Sequence, residues 1–575
     1  MKILLVYPYP LFDRSRAYEQ DIHAVPIGLY YIGAVLKEHG YDVEVLNWSQ
    51  IHKTPEKIID TLRKKKPDIL GFSILNANRW AGIEIARIAK SLNPDTRIIF
   101  GGVGATFLWK HLLTHFAEID YIVLGEAESV FLKLVQALEK PGGRTLKHIS
   151  GIAFRDRGKI VKAANAPLVK DLDSLPIPAR YFTYQHVVSS RGCPGGCTFC
   201  GSPRFWKRRV RFRSPAHFVR ELKMLRKKGI RFFYVSDDTF AVNKKRVVQI
   251  CKAILEADLG ITWVAISRVD HVDEEVLDWM RMAGCVQISY GVESGSKEIR
   301  KRLGKPLRTR DIKCAFALTR SRGILARAYF IYGAPGETQQ TIQQTVDLIR
   351  QIKPFVCVSY ILEIYPGTAL YLDYQKAHHL TDDIWLKRIE GLPYFETDPG
   401  LTKEMVMAFG KTIRQAVYEN LERFVDSLDL IDDKRFFPTH ADFCSRLGMT
   451  LTHGDYAGVN AIHNKDEIAE KLFNKALGYA THPRAYLGLA MLRQDKRDFQ
   501  AAAAILEQGV KEFPENQELN VCFAINCMNL GNFQAALDRL DRFPEAPGAA
   551  YYIEECRRNL DKKPQQTAFS QKARR

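Results

Sequence analysis

Arg191-Gly-Cys193-Pro-Gly-Gly-Cys197-Thr-Phe-Cys200 places three thiols within eight residues, directly after the β-rich run Val187–Ser190. Thiolates at CxxxCxxC spacing, on a loop behind a strand, can face one point. A structural zinc ion takes four ligands in closed tetrahedral geometry. No fourth Cys or His follows within fifteen residues, and the nearest upstream is His186. Three soft ligands suit an iron–sulfur cluster with one iron left open. None of the eleven cysteines precedes Cys193, and the other eight are dispersed. That usage reads as a metal site, not a disulfide framework.

Outward from this loop, β-rich and helix-period segments alternate. Downstream, strands are expected near Phe232–Ser236, Thr262–Ser267, Val286–Gly291, Ala326–Tyr332 and Val356–Ile364. With the run before the cysteines they make six, the pattern of a partial (β/α)6 barrel whose site gathers at the C-terminal strand ends. Upstream, residues 2–7, 43–46, 69–73, 97–101 and 121–124 alternate with helical segments. They predict a doubly wound parallel sheet that binds ligands beyond its strand ends. Ser73, Gly101-Gly102 and Gly125-Glu126 stand at those ends. Gly151–Val161 reads as a small hairpin inside a connector.

After about residue 400 the strands stop. Leu401–Leu428 is helical and is followed by a stretch rich in His and Phe, read as a loop. From about 466 a period of 34 emerges: Leu472, Leu506 and Leu540; Ala490 and Ala524; Asp498-Phe499 and Asn532-Phe533. That period marks tetratricopeptide-like helical pairs, which stack into docking surfaces. The expected organisation is a sheet domain (1–145), a connector (146–185), the partial barrel (186–390), a helical extension (391–464), an all-α repeat domain (465–560) and a polar tail (561–575).

The 575 residues are 46% hydrophobic and 26% charged, enough for several cores and inconsistent with wholesale disorder. No apolar run approaches the ~18–20 residues of a membrane span, and the amino terminus reads as a strand, so the cytoplasm is the expected location. The net charge of +19 is scattered over the chain and reads as solvated surface. Arg204–Arg213 mixes aromatics with arginine, as nucleic-acid patches do. Its place directly behind the cysteine loop makes a border of the active site the preferred reading.

Taken together, these features resemble the radical S-adenosylmethionine (SAM) enzymes, whose hallmark is CxxxCxxC after the first barrel strand. The resemblance implies a [4Fe–4S] cluster on Cys193, Cys197 and Cys200. It implies SAM contacts from Asp237 and Asp238 (amino group), Arg268 and Glu293 (carboxylate and ribose), and Gly333, Gly336 and Gly367 around strands five and six. The amino-terminal sheet is similar to the cobalamin-binding domain that precedes many such barrels. By that likeness Ser73, Gly101, Gly102, Gly125 and Glu126 line the cobalamin slot. Asp21-Ile-His23 keeps the spacing of a cobalt-ligating DxHxxG motif but has Pro26 where glycine belongs. His23 therefore reads as an ordinary loop residue.

The resemblance implies a cobalamin-dependent methyltransferase acting on an unactivated carbon through a 5′-deoxyadenosyl radical. Its implied partners are a flavodoxin- or ferredoxin-type electron donor and a small-molecule, lipid, tetrapyrrole or peptide substrate. The repeats would hold a further protein partner. An anaerobic oxidative cyclase of the porphyrin-ester type shares the domain order and is the enzyme alternative; a cobalamin or redox sensor is the non-enzymatic one. A tRNA methylthiotransferase needs three cysteines in its amino-terminal domain, and residues 1–192 contain none. His440, Asp442 and Cys444 lack a clear fourth ligand for a second metal site.

Overall fold

A computed structural model describes residues 1–10, 26–51, 54, 56–139 and 146–561. His23 and the tail after Asp561 lie outside the described residues. The chain divides into two units: Met1–Thr319 with Ala326–Val417, and Arg320–Leu325 with the chain from Tyr418 onward.

The first unit opens with a parallel sheet of β1 (Lys2–Tyr7), β2 (Asp42–Asn47), β3 (Ile69–Ser73), β4 (Arg97–Gly101) and β5 (Tyr121–Val123), ordered β2-β1-β3-β4-β5. Ile3–Val6, Ile69–Phe72 and Ile98–Phe100 are unbroken apolar runs because helices cover both faces. The hairpin of β6 (Ile152–Asp156) and β7 (Lys159–Lys162) is not confined to a connector. It pairs antiparallel with β5 and extends the sheet to seven strands. Buried Ile152 and Phe154 give β6 its place in that sheet's core.

The second sheet carries the cysteine loop. β8 (His186–Val187) leads through a short antiparallel ladder, β9 (Ser190–Arg191) with β10 (Arg211–Phe212), whose ends frame the loop. Then come β11 (Phe232–Val235), β12 (Thr262–Ser267), β13 (Cys285–Glu293), β14 (Leu325–Tyr332) and β15 (Val356–Ile361). The order β15-β14-β13-β12-β11-β8 leaves β8 and β15 as its two ends, so the barrel stays open. Phe233, Val235, Ala265 and Ser267 are buried, while Tyr234 and Ile266 between them are 40% and 42% exposed. Such alternation means one face packs on helices and the other lines an accessible interior. Helices return between strands from good caps: Ser214 before Pro215, Asn243, Asp273, and the Thr338/Thr341 capping box. The segment after the barrel folds back, and Tyr371 and Trp385 join the core of the first sheet.

From Tyr418 onward the regular elements of the second unit are all helices among the described residues. The stretch read as a His- and Phe-rich loop is the helix Phe437–Thr452. Phe443, Leu447 and Leu451 recur on one buried face, a helical period that the interspersed His, Thr and Gly obscure. Leu472, Leu506 and Leu540 are all buried, each in its own helix: Lys465–Tyr479, Phe499–Glu512 and Phe533–Leu540. The Phe473 ring lies against Gly448 and Gly488, so a cut at residue 464 would open an apolar face. Asp442 is engaged by Arg446 and Arg484, each at 2.9–3.0 Å, and not by a metal set with His440 and Cys444. No helix among the described residues is long and apolar enough to cross a membrane.

Candidate functional site

The cysteine loop is pinned on several sides. Gly192, at φ +100°, donates its N–H to Asp238 Oδ2 at 3.0 Å, and the Arg209 carbonyl occupies the place of any side chain there. Thr198 bonds through its N–H to the Leu303 carbonyl (3.0 Å) and accepts from the Leu370 N–H (2.9 Å). Gly304 rests on the Gly196 carbonyl, where a Cβ would stand at 2.5 Å. Within the loop, a methyl group on Gly195 would lie 3.3 Å from Cys193 Sγ and 3.9 Å from Cys197 Sγ. Two of the thiols, Cys193 and Cys197, thus flank Gly195. Burial raises the Cys197 thiol, against the pull of Lys305, and pushes Cys200 up to about 11. Bound iron would displace those protons.

Two ion pairs border the loop. Arg268 makes a bidentate pair with Asp270 (2.9 and 2.8 Å), and its Nη1 is 3.7 Å from the Cβ position of Gly195. Glu293, at the end of β13, pairs with Lys305 at 2.6 Å and is buried. Its φ of +65° is a strained choice for a non-glycine residue, of the kind found at sites. Lys305 was not foreseen: one Lys among 84 basic residues carries no local signal.

Asp237 and Asp238 do not face the loop in the same way. Asp237 is buried, and both its oxygens are taken by the Ser189 N–H and the hydroxyls of Ser189 and Ser190, at 2.6 Å each. It ties β11 to the turn after β8. Asp238 instead holds Gly192. Gly333, Gly336 and Gly367 share positive φ values of +75°, +70° and +78°. Arg302 covers Gly336, and the Phe107 ring, from the helix behind β4, covers Gly367.

Glu337, in the same Gly-Ala-Pro-Gly-Glu turn, is a buried carboxyl. Its Oε2 accepts the Gly333 N–H at 2.5 Å and the Ala334 N–H at 3.3 Å, while Oε1 is buried without a hydrogen-bond partner among the described residues. Burial pushes it from the ordinary 4.5 up to about 7. The folded protein thus holds this proton more tightly than the unfolded chain. Stability is lost as pH rises from about 4.5 to about 7 and is level above. Glu337→Gln should flatten that stretch, worth ~3 kcal/mol at ~1.4 kcal/mol per unit, in urea melts at pH 5 and pH 8. An unchanged difference between the two pH values would contradict it.

Ser73 and Gly101 are paired in register at the ends of β3 and β4, and Gly125 follows β5 at φ +73° with open space where its side chain would stand. These three share one edge, and the two glycines leave room on it. Gly102 differs: at φ +92° a Cβ would meet the Ile74 carbonyl at 2.8 Å and its nitrogen at 3.0 Å. Gly102→Ala should therefore cost ~1–3 kcal/mol through the protein's own backbone. Gly101→Ala, whose nearest neighbours stand at 3.7 Å, should stay within ~0.5 kcal/mol of wild type. Equal denaturation midpoints for the two variants would refute the distinction.

Glu126, beside Gly125, is tied to the barrel side. It accepts from Arg191 (2.8 Å), Arg211 (2.7 Å) and the Val169 N–H (2.7 Å), while Glu128 takes the other Arg191 nitrogen at 2.6 Å. Arg213 is likewise internal, bonded to Glu221, the Tyr31 hydroxyl and the Val188 carbonyl. Arg211 and Arg213 are thus structural, which removes the centre of the suspected nucleic-acid patch. On the barrel's inner face, His186 stacks on Tyr234 (centroids 4.3 Å apart) and bonds Ser236 at 3.0 Å. Burial lowers that imidazole to about 4, keeping it neutral.

Residues 187–349 match the Radical SAM superfamily, residues 17–135 the B12 binding domain and residues 493–552 a tetratricopeptide repeat. An uncharacterized methyltransferase of Pyrococcus horikoshii is 32% identical over 394 residues, covering 66% of this chain and 84% of the relative. The anaerobic magnesium-protoporphyrin IX monomethyl ester cyclase of Cereibacter sphaeroides is 28% identical over 384 residues, 62% of this chain and 63% of the cyclase. In fold the chain is similar to the radical SAM methyltransferase TsrM of Kitasatospora setae, with a TM-score of 0.58 at 18% identity, over 83% of this chain and all of that one. The chain belongs to the radical SAM superfamily, in the branch that carries a B12-binding domain ahead of the barrel.

Proposed function

We propose that this enzyme transfers a methyl group to an unactivated carbon, with cobalamin held at the edge of the first sheet. The observation that carries the reading is the meeting of three thiols and two ion pairs at one end of an open barrel. Phe107 joins that end to the helix behind the glycine edge of β4. When bound, the [4Fe–4S] cluster and cobalamin supply the electron that cleaves SAM and the carrier for its methyl group. Cys193, Cys197 and Cys200 would hold the iron. Arg268 and Lys305 offer cations to the SAM carboxylate, while Asp270 and Glu293 offer acceptors to its ammonium and ribose hydroxyls. Ser73, Gly101 and Gly125 would admit the cobalamin tail.

Tyr234 and Ile266 present apolar surface inside the barrel. That lining suits a substrate with a flat or aliphatic face: a lipid, a tetrapyrrole, or an apolar part of a peptide or smaller molecule. The electron would come from a flavodoxin- or ferredoxin-type donor, and the repeats would dock a protein partner or substrate carrier. Cluster thiols kept reduced suit the cytoplasm.

The test is anaerobic reconstitution with methyl-labelled SAM over extracts of the native host. Label in a new product, together with 5′-deoxyadenosine, is the expected result; cleavage with no labelled product would sink the methyl-transfer reading. The likeness to the Cereibacter cyclase favours one second reading, oxidative cyclisation. It predicts an oxidised product without the mass of an added methylene.

A further inference from the structure

Away from the cysteine loop, His111 and His115 lie one turn apart on the helix Trp109–His115, and Asp383 reaches them from the turn Asp382–Leu386 that follows the barrel. We propose that His111, His115 and Asp383 form a binding site for a divalent transition metal of the zinc class, bracing the first sheet's helix to the segment after the barrel.

The geometry is that of a metal site. His115 Nε2 is 3.0 Å and His111 Nδ1 3.7 Å from the same oxygen, Asp383 Oδ1, and the three ligand atoms all lie within 4.8 Å of one another. A tetrahedral ion with ligands at about 2.0–2.2 Å has edges of about 3.3–3.6 Å. The two shorter separations bracket that edge, and the widest needs only a small side-chain movement. Two imidazoles and a carboxylate are a common donor set for zinc, with water in the fourth place. Asp383 is 60% exposed on its side chain, which leaves that place open to solvent.

His111 supplies the second, independent observation. Its side chain is 1% exposed, and neither ring nitrogen has a hydrogen-bond partner among the described residues. Buried polar groups are nearly always satisfied, and an orphan of this kind calls for an explanation. The ring lies 4.8 Å from that of His115, centroid to centroid. An ordinary ion pair would account for His115 and Asp383 but not for His111, whose Nδ1 a metal ion would take.

The location gives such an ion a consequence. The helix Trp109–His115 follows directly on the helix Gly102–Phe107, whose last ring covers Gly367. Nearby, the buried Arg79 guanidinium reaches the carbonyls of Trp385 and Ile389, tying the same returning segment to the first sheet. The metal would add a second tie at the solvent edge of that contact.

To keep the cluster thiols from competing, the full chain carrying Cys193→Ser, Cys197→Ser and Cys200→Ser is stripped by chelator dialysis and titrated with Zn²⁺ against a chromophoric chelator. One zinc per chain is expected. Altering a group that merely supports a ligand costs about 10–100-fold in affinity, so His115→Ala or Asp383→Asn, which remove a ligand, should weaken binding at least about 100-fold. His111→Gln should do the same; the two exposed variants carry the test if the buried one does not fold. Zinc should also raise the thermal midpoint of the parent chain and not that of His115→Ala. Equal zinc uptake by the parent and Asp383→Asn, or no uptake at micromolar zinc, overturns the proposal.

Discussion

Replacing Cys193, Cys197 and Cys200 together with alanine should leave the purified chain without iron or brown absorbance and without reductive cleavage of SAM. The loss is expected to be total because three thiolates are the minimum that hold a cluster while leaving one iron free. The loop itself should survive. Its shape rests chiefly on the Gly192–Asp238, Thr198–Leu303 and Leu370–Thr198 hydrogen bonds; the Gly195 N–H to Cys193 Sγ contact at 3.4 Å is the one that would be lost. The triple variant should therefore melt close to the metal-free parent. The measurements are iron content after anaerobic reconstitution and 5′-deoxyadenosine released with dithionite. Persistent 5′-deoxyadenosine from the triple variant would show that the reductive chemistry lies elsewhere.

Glu126→Ala is the single change expected to cost most in stability. Glu126 is 3% exposed on its side chain, and Arg191 and Arg211 only 10% and 12%. Removing the carboxylate strands two buried guanidinium groups. Burial holds such charges only while paired, and breaking a buried pair costs about 3–5 kcal/mol. Arg191 keeps Glu128 and Arg211 keeps the Val169 carbonyl, which places the expected loss at the lower end. The damage should also reach the chemistry, because Arg191 leads directly into Gly192 and the cysteine loop. Chemical denaturation should show a lower midpoint, and iron incorporation should fall while the three cysteines remain. Glu126→Gln keeps hydrogen-bonding atoms but loses the charge, so it should fall between. A midpoint unchanged in Glu126→Ala would mean the two arginines have found other partners, and the brace would be wrong.

Much of the architecture was legible because local patterns mirror burial. Apolar runs such as Ile69–Phe72 are strands covered on both faces, and the 34-residue recurrence of Leu472, Leu506 and Leu540 is one buried position seen three times. CxxxCxxC is legible for a similar reason, since all three donors sit on one short loop. Where several needs overlap in one stretch the pattern blurs. Phe437–Thr452 carries a helical apolar stripe, but His, Thr and Gly between the apolar residues made it read as a loop.

The roles of charged residues were decided only in three dimensions. Position at a strand end was enough to nominate Asp237, Glu126 and Glu293 alike. Asp237 proves to be held by Ser189 and Ser190, Glu126 by two arginines from the barrel side, and Glu293 by Lys305 beside the thiols. A carboxylate's use depends on which donors surround it and how far it is from water, and those donors come from segments tens of residues away. The same holds for His111, His115 and Asp383, which 268 residues of chain separate and folding brings together. The amino-acid sequence by itself determined the sheet, the open barrel, the helical repeats and the three cluster thiols, because periodicity and short spacing encode them locally. Only the tertiary structure decided which acids brace the fold and which border the site, because that choice is made by long-range partners and burial.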